Sequence, residues 1–271
     1  MNRTIFINNC RQSLWATLGS CVGIALFVVL FIWSMQTMGP QLMEFLSSVG
    51  FLRKMLELAF GFTLDGEVSS NTLYSIAWLH PVVLALSWGT LIATATRQTS
   101  GEMERGRTEL TISLPLSRGE IFWAGWFCTA LVSVLVSVAP LIGLWVGSQL
   151  FEPFEPIRFG RFAIASFNLW MLNVAVGSLT TLIGVRLVRR GVAVATVSSI
   201  LILFVAMNFL ESFLVAIQKI KFVSLLYYYR PGDIVRSEQW PIYDTTALFT
   251  ISTVASIVAA VLWQRRDMPV P

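Results

Sequence analysis

The chain has 271 residues, of which 55% are hydrophobic and only 13% are charged, with a formal net charge of +4. A soluble domain carries about 25% charged residues, and a chain of this length could not hide so much apolar surface from water. The composition therefore excludes an ordinary soluble protein and predicts an integral membrane protein. No metal-ligand spacing or disulfide pattern relates Cys10, Cys21 and Cys128, so we expect free thiols packed among other side chains.

Six charge-free intervals of the sequence are at least twenty residues long, and about twenty residues cross the hydrocarbon core as a helix. The runs are continuous and lack the alternation of a barrel strand, which favours helices over a β-barrel. We predict an all-α membrane protein, a single domain over residues 1–271. Its six spans are expected at about 16–38, 73–96, 120–148, 162–185, 191–211 and 245–264.

Shorter elements are predicted outside the spans. Residues 4–15 can place apolar side chains such as Phe6 and Trp15 on one face and polar ones on the other. This pattern is typical of an amphipathic helix that lies on the membrane surface. The external segment at about 40–70 carries apolar residues at helical spacing. The segment at about 212–243 has the length and aromatic content of a shallow re-entrant hairpin or an interfacial cap. We expect short helices before the second and sixth spans.

The placement of lysine and arginine predicts the orientation of the spans. With the N-terminus in the cytoplasm, the cytoplasmic segments hold eleven basic and five acidic residues, whereas the external segments hold eight basic and ten acidic residues. The tight loop Arg186-Leu-Val-Arg-Arg190 alone contributes three of these cytoplasmic arginines. The positive-inside rule therefore predicts a multi-pass protein of the plasma (inner) membrane with both termini in the cytoplasm.

One polar segment, residues 98–119, interrupts the apolar sequence between the second and third spans. Thr99-x-x-Glu102 and Ser117-x-x-Glu120 have the pattern of capping boxes, which predicts that a helix begins at each of them. Pro115 removes a helical hydrogen-bond donor and separates the two helices. The residues alone leave two interpretations open, a short cytoplasmic helix that receives another protein and an ordinary solvated loop.

The same segment resembles the first cytoplasmic loop of ABC-2 type transporter permeases, whose pattern there is roughly E-R-G-T-L-E-L-L-L-S-x-P-V-S-R. The sequence departs from the family at Arg107, where the family has threonine, and at Trp126, where it often has lysine. Six spans, an amphipathic N-terminal helix and a long first external loop also agree with the family. The matching positions are Glu104, Arg105, Gly106, Glu109, Leu110, Ser113, Pro115, Ser117 and Arg118.

The resemblance implies the permease subunit of an ATP-driven exporter. In the family this loop forms a coupling helix that seats in a groove of a cytoplasmic ATPase subunit, and two permeases pair with two ATPases. The chain has no G-x-x-x-x-G-K-S/T phosphate loop, so ATP and Mg²⁺ are expected on the ATPase and no cofactor on this chain. The residues expected to couple to the ATPase are Glu102, Glu104, Arg105, Gly106, Thr108, Glu109, Leu110, Pro115, Ser117 and Arg118.

Pairs of small residues four positions apart permit helices to approach closely. In the family the first and fifth spans meet across the dimer, which assigns Gly19, Gly23, Ala195 and Ser199 to contacts with a second copy, giving an expected homodimer. Gly143 and Gly147 in the third span have the same spacing. For each pattern taken singly, packing within one chain is an equal alternative.

Polar residues within the spans are candidates for a substrate pathway. His80, directly before Pro81, either contacts substrate or hydrogen-bonds at a proline kink. Asn168, Asn173 and Asn208 either line the pathway or tie helices together, with helix packing the favoured role. The spans contain no carboxylate or lysine, which argues against a carrier driven by protons or sodium. An apolar or amphipathic cargo suits the low polarity.

Two other classes of function stay open in the sequence. A six-span secondary transporter or channel would work without an ATPase. An intramembrane enzyme would need paired carboxylates, a Ser–His pair or a metal cluster, and none of these patterns occurs, so no catalytic residue or metal site is predicted. The expected partners are the ATPase, a second copy and the lipid bilayer, with no nucleic acid, and the sequence does not identify the cargo.

Overall fold

The computed structural model describes residues 3–48, 69–106, 116–153, 155–211, 214–237 and 240–266, and for residues 38–48 and 215 it describes the backbone alone. These residues fold into helices joined by short turns, with no strand among them. Six helical segments of this described part are long and apolar enough to cross a membrane, which agrees with the six spans predicted from the sequence. The α-helices in chain order are α1 (Arg3–Ser48), α2 (Ser70–Leu79), α3 (Pro81–Gln98), α4 (Ser100–Glu104), α5 (Arg118–Leu150), α6 (Phe159–Arg186), α7 (Arg190–Leu210), α8 (Val215–Gln218), α9 (Pro231–Arg236) and α10 (Ile242–Arg265).

The first helix is longer than the sequence predicts. A surface helix at residues 4–15 and a separate span at 16–38 were expected from the amphipathic pattern, but α1 runs without a break through both. No proline precedes Pro40, so nothing removes a backbone hydrogen bond at the predicted junction. The helix has 46 residues, and at about 1.5 Å per residue it is about 69 Å long, well over the thickness of a bilayer core.

The second span is divided at His80 into α2 and α3. A residue before proline favours extended backbone, and His80 has φ −62° and ψ 136°. Nδ1 of His80 accepts a hydrogen bond from the Val82 N–H at 3.3 Å, so this side chain caps α3, which has Pro81 in its first turn. The predicted proline kink, with His80 bonded at it, is therefore present.

The carbonyl that is freed at this break finds a partner in the segment before the sixth span. In an uninterrupted helix the Trp78 carbonyl would accept the Val82 N–H, which is bonded to His80 instead. The Tyr229 hydroxyl donates to the Trp78 carbonyl oxygen at 3.1 Å, and Trp78 Nε1 donates to Ser166 Oγ at 2.8 Å. Burial raises the pKa of the Tyr229 phenol well above its ordinary value, so the hydroxyl remains a neutral donor.

Short helices precede the sixth span, as the sequence predicts. Residues 214–237 contain α8, the 3₁₀ turns Lys221–Val223 and Leu225–Tyr228, and α9. Arg161 of α6 donates to two carbonyls in the last turn of α9, both at 3.0 Å, and so holds that helix against the bundle. The short helices predicted at 40–70 fall mostly on residues 49–68, which lie outside the described residues.

Glycines determine how closely α1 and α5 pack. A Cβ on Gly143 would lie 2.6 Å from the Ala25 carbonyl oxygen, and one on Gly147 would lie 2.7 Å from Ile32 Cδ1. The small-residue pattern of the third span therefore serves packing within the chain. α6 packs against α3, α5 and α10, and α7 packs on α3 and α6.

Candidate functional site

The short helix α4 lies in the polar segment, residues 98–119, directly after α3. The predicted capping box at Thr99 is wrong, because Thr99 Oγ1 donates to the Ala95 carbonyl at 2.8 Å and no side chain caps α4. The hydroxyl of Thr99 finds its acceptor in the last turn of α3 before α4 begins. The box at Ser117 is confirmed, since Ser117 Oγ accepts the Glu120 N–H and the Glu120 carboxylate accepts the Ser117 N–H, both at 3.2 Å.

The segment turns sharply at Gly106, directly after α4. Gly106 has φ +65°, a left-handed conformation that glycine adopts at little cost. Its N–H donates to the Met103 carbonyl at 3.1 Å. A Cβ at this position would meet no atom within 4 Å, so the requirement for glycine comes from the backbone conformation alone. The turn leaves the side chains of Glu104 and Arg105 at the surface.

Close contacts hold α4 against several spans. Met103 is buried in an apolar cluster with side chains of α5, α6 and α10. A Cβ on Gly184 of α6 would lie only 2.2 Å from Thr99 Oγ1. A Cβ on Gly101 of α4 would lie 3.2 Å from the Cδ atom of Arg190. The helix is therefore packed into the bundle and is not a freely solvated loop.

Arg190, the first residue of α7, joins α3, α4 and α7. Its backbone N–H donates to Glu104 Oε2 at 2.9 Å, which places a negative charge at the N-terminal end of α7, where the helix dipole favours it. Its guanidinium donates from Nη2 to the Ala93 carbonyl at 3.2 Å and from Nε to Thr96 Oγ1 at 3.3 Å. The sequence predicts Glu104 as an accessible docking residue and does not predict this role of Arg190, which its pattern marks only as part of a basic loop.

Arginines recur at this end of the bundle and bond to main-chain carbonyls. We name it the basic end, defined by Arg97, Arg118, Arg190 and Arg266. Arg118 of α5 donates to two carbonyls at the C-terminal end of α10, at 2.9 and 3.3 Å. Arg266 donates to the Val185 carbonyl at the C-terminal end of α6, and Arg97 donates to the Gln12 carbonyl of α1. Helix C-termini present carbonyls without intrahelical partners, so Arg118 ties the end of α10 to α5 and Arg266 ties the end of α6 to the residue after α10. The Gln12 carbonyl that Arg97 reaches lies within α1.

The structure describes only part of the predicted coupling set. Arg105 and Ser117 are exposed, whereas Glu102 is half-buried. Arg118 is partly buried and is bonded to the end of α10, so its contacts are internal. The remaining predicted residues, which lie outside the described residues, are Thr108, Glu109, Leu110 and Pro115.

Gly125 and Trp126, which the sequence resemblance aligns with Gly-Lys in ABC-2 permeases, lie inside the bundle. A Cβ on Gly125 would lie 3.0 Å from Gln98 Oε1, which also accepts a hydrogen bond from Thr129 Oγ1 at 3.4 Å. Trp126 donates from Nε1 to Ser178 Oγ at 3.3 Å. This position therefore joins α5 to α3 and α6 and presents no charge.

A groove of about 650 Å³ lies between α3 and α7, and we name it the α3–α7 groove. Two of the four candidate pathway residues, His80 and Asn208, line it at the end away from the basic end. Trp88, about two helical turns nearer the basic end on α3, also lines it. The rest of the lining is mainly aliphatic and aromatic, and no Asp, Glu, Lys or Arg of the described residues belongs to it.

The other two candidate pathway residues, Asn168 and Asn173, lie apart from this groove. Both are completely buried. Asn173 Nδ2 donates to Ser137 Oγ of α5 at 2.8 Å, and Asn168 Nδ2 donates to Thr245 Oγ1 of α10 at 3.4 Å. Their contacts are those of residues that tie α6 to its neighbours, which is the role the sequence favours.

The residues assigned to a second copy differ in their surroundings. Gly19, Ala195 and Ser199 are exposed, and a Cβ on Gly19 would meet no atom within 4 Å. A Cβ on Gly23 would instead lie 3.3 Å from Leu86 Cδ1 of the same chain. Three of the four residues are thus accessible to another helix, and a dimer contact stays a prediction for them.

Comparison with models of known protein families gives no match to the chain. Comparison with curated proteins gives none either. The function is therefore inferred from the sequence pattern of the polar segment and from the geometry of the basic end and the α3–α7 groove.

Proposed function

We propose that the chain is the permease subunit of an ATP-driven ABC exporter, which forms the membrane pathway and is driven by a separate cytoplasmic ATPase. The observation that carries this proposal is the position of Glu104, Arg105 and Gly106. These residues match the coupling-loop motif of ABC-2 permeases, and they end a short helix that is packed against several spans. A protein that presses on this segment would press on the bundle itself.

The contacts of Arg190 support a route for that force. Glu104 is bonded to the N-terminal end of α7, and the Arg190 guanidinium is bonded to α3. Displacement of α4 would therefore act on α3 and α7 together. These two helices form the walls of the α3–α7 groove, so a change in their spacing would widen or close it.

The proposed assembly contains two permeases and two ATPases. In this arrangement the basic end faces the cytoplasm, ATP and Mg²⁺ bind to the ATPase, and this chain hydrolyses nothing. The exposed positions Gly19, Ala195 and Ser199 are available for contacts with the second copy.

Co-purification with an ATPase and measurement of ATP turnover test the proposal. We expect a nucleotide-binding ATPase subunit to co-purify with the chain from its native membrane, and Glu109→Lys to reduce that association at least tenfold by reversing a charge in the docking segment. The matched control is Glu152→Lys, because Glu152 is an exposed glutamate at the opposite end of the bundle. This variant should leave the association with the ATPase unchanged. Normal ATPase association and turnover in Glu109→Lys would contradict the proposal, and nucleotide-independent transport by the purified chain would favour a secondary transporter or channel.

A further inference from the structure

Two of the three cysteines lie together between α1 and α5. Ser13 Oγ of α1 is 3.7 Å from Cys128 Sγ of α5, and Cys10 precedes Ser13 by three residues, on the same face of α1. The Cys10 thiol also makes a side-chain hydrogen bond with Cys128. Cys21 is about three helical turns farther along α1 and takes no part in the pair. The spacing of the sequence does not indicate this pair, because its members belong to different helices.

The two thiols differ in their access to solvent. Cys128 is completely buried, whereas Cys10 is half-buried, so a small ion reaches the pair from the Cys10 side. The Ser13 hydroxyl donates to the Asn9 carbonyl oxygen at 2.7 Å, so in its contact with Cys128 the S–H group is the donor. Once that proton leaves, the Ser13 hydroxyl can turn and donate to the sulfur, which stabilises a thiolate.

The charges around Cys128 favour an anion. The Arg97 guanidinium interacts electrostatically with Cys128, and it donates a hydrogen bond to the Gln12 carbonyl of α1. The other ionisable side chains that act on Arg97 are Arg105, Arg190 and Glu102. The local charge is therefore positive in sum. Two neighbouring thiolates repel each other, and a cation held between them removes that repulsion.

The number and type of ligands decide which cation fits. A structural zinc ion takes four ligands, and iron–sulfur clusters are held by four. No group of three or more His, Cys, Asp or Glu side chains that could hold a metal ion occurs in the described part of the chain. Calcium and magnesium require oxygen ligands. Cu(I) is soft, prefers thiolates and is stable with only two of them.

We propose that Cys10 and Cys128 bind one Cu(I) ion between α1 and α5, with the Arg97 guanidinium balancing the charge of the complex. Two S–H bonds break and two Cu–S bonds form, both protons leave to water, and no electron is transferred. One monovalent cation and two thiolates give a complex with a net charge of −1, which suits the positive surroundings. The inference goes beyond the proposed function and does not depend on it.

Titration of the purified full chain with Cu(I) tests the inference. The chain is kept in detergent, reduced and free of oxygen, and bathocuproine disulfonate, a coloured Cu(I) chelator, competes for the metal. We expect one tightly bound Cu(I) per chain. X-ray absorption at the copper edge should show two sulfur ligands and no nitrogen or oxygen ligand. No ATPase is needed, so failure of ATPase association would leave this result intact, and absence of copper binding would leave the coupling proposal intact.

Serine variants identify the ligands. Cys10→Ser and Cys128→Ser should each weaken Cu(I) binding by about a hundredfold or more, since loss of a group that only supports a ligand already costs about 10–100-fold. Cys21→Ser is the matched control, because Cys21 is on the same helix and is also half-buried, and it should bind as the unaltered chain does. Cys10 is not fully buried, so Cys10→Ser should fold even if Cys128→Ser does not.

Two further measurements test the surroundings of the pair. Arg97→Gln should weaken Cu(I) binding by about tenfold, whereas Arg158→Gln, at an exposed position near the opposite end, should not. Bound Cu(I) should protect Cys10 from alkylation by iodoacetamide and leave Cys21 reactive, as measured by mass spectrometry of peptides.

Three results would overturn the inference. The first is equal Cu(I) affinity of the unaltered chain and Cys10→Ser. The second is a copper spectrum dominated by nitrogen or oxygen ligands. The third is a disulfide between Cys10 and Cys128 that persists in the reduced chain, because it would leave no thiol for the metal.

Discussion

Glu104 Oε2 accepts a hydrogen bond from the backbone N–H of Arg190 at 2.9 Å, across 86 positions of the chain. The contact makes a residue of the polar segment the cap of α7. The same Arg190 reaches back to Ala93 and Thr96 with its guanidinium, so α3, α4 and α7 meet at one residue. Any motion of α4 that keeps these bonds must move the other two helices with it.

Removal of the Glu104 carboxylate should destabilise this junction. Glu104→Ala leaves the Arg190 N–H without its cap and should lower the free energy of unfolding by about 1 kcal/mol, as loss of an N-terminal cap does. Glu104→Gln keeps an acceptor oxygen and should lose less than half of that. The midpoint of thermal unfolding in detergent measures both changes.

Arg105→Ala is the control for Glu104, because Arg105 is the next residue and its side chain is exposed. It should leave the unfolding midpoint unchanged and, if this surface docks the ATPase, should weaken ATPase association. A midpoint for Glu104→Ala equal to that of Arg105→Ala would show that the capping contact contributes nothing.

Replacement of Arg190 by alanine or by lysine should lower the stability of the chain. Arg190→Lys keeps the charge but cannot reproduce two hydrogen bonds from one planar group, and Arg190→Ala loses both. We expect destabilisation of about 1–2 kcal/mol for alanine and about half of this for lysine. Arg189→Ala, an exposed neighbour, should stay within about 0.5 kcal/mol. Urea or thermal unfolding gives the comparison, and equal effects at the two arginines would refute the assignment.

Substitutions at Gly184 and Thr99 should have coupled effects on the free energy of unfolding. Gly184→Ala puts a Cβ 2.2 Å from Thr99 Oγ1 and should destabilise the chain by about 1–3 kcal/mol. Thr99→Ala removes that oxygen, so the double variant should regain at least half of the loss despite the missing hydroxyl. A double-mutant cycle on unfolding midpoints measures this coupling, and strictly additive effects would contradict it.

Gly191→Ala provides the control for Gly184→Ala. A Cβ on Gly191 meets no atom within 4 Å, and alanine favours a helix more than glycine by up to about 1 kcal/mol. The variant should therefore be as stable as the unaltered chain or more stable. Destabilisation at both glycines would indicate a general intolerance of α6 and α7 to substitution.

The spans were predictable from the sequence because they depend on one local property, the length of an uninterrupted apolar run. A run of about twenty apolar residues is long enough to cross the bilayer as a helix, and no knowledge of neighbouring helices is needed to recognise it. The break at His80 follows from Pro81 in the same way, since proline acts on its own backbone. The box at Ser117 is also local, within three residues of Glu120.

The contacts of the basic end were not predictable, because they depend on which helices are neighbours. The sequence around Thr99 matches a capping box, yet the Thr99 hydroxyl donates a hydrogen bond to a carbonyl at the end of the preceding helix instead. In the sequence, Arg190 is one of several arginines in a loop. Its contacts with α3 become evident only when α3 and α7 are seen to be neighbours. The close approach at Gly184 likewise leaves no mark in the sequence except the glycine itself.

Asp233 gives a pH-dependent prediction at the other end of the bundle. Burial raises the pKa of its carboxyl above 3.8, although Arg230 and Arg236 partly oppose the shift. A folded-state pKa above the unfolded value means that the folded chain holds the proton more tightly, so ionisation destabilises it as the pH rises above 3.8. Asp233→Asn cannot ionise and should therefore have the higher unfolding midpoint at pH 7. The difference should shrink as the pH is lowered toward 3.8. A lower midpoint for Asp233→Asn at pH 7 would mean that the two arginines outweigh burial.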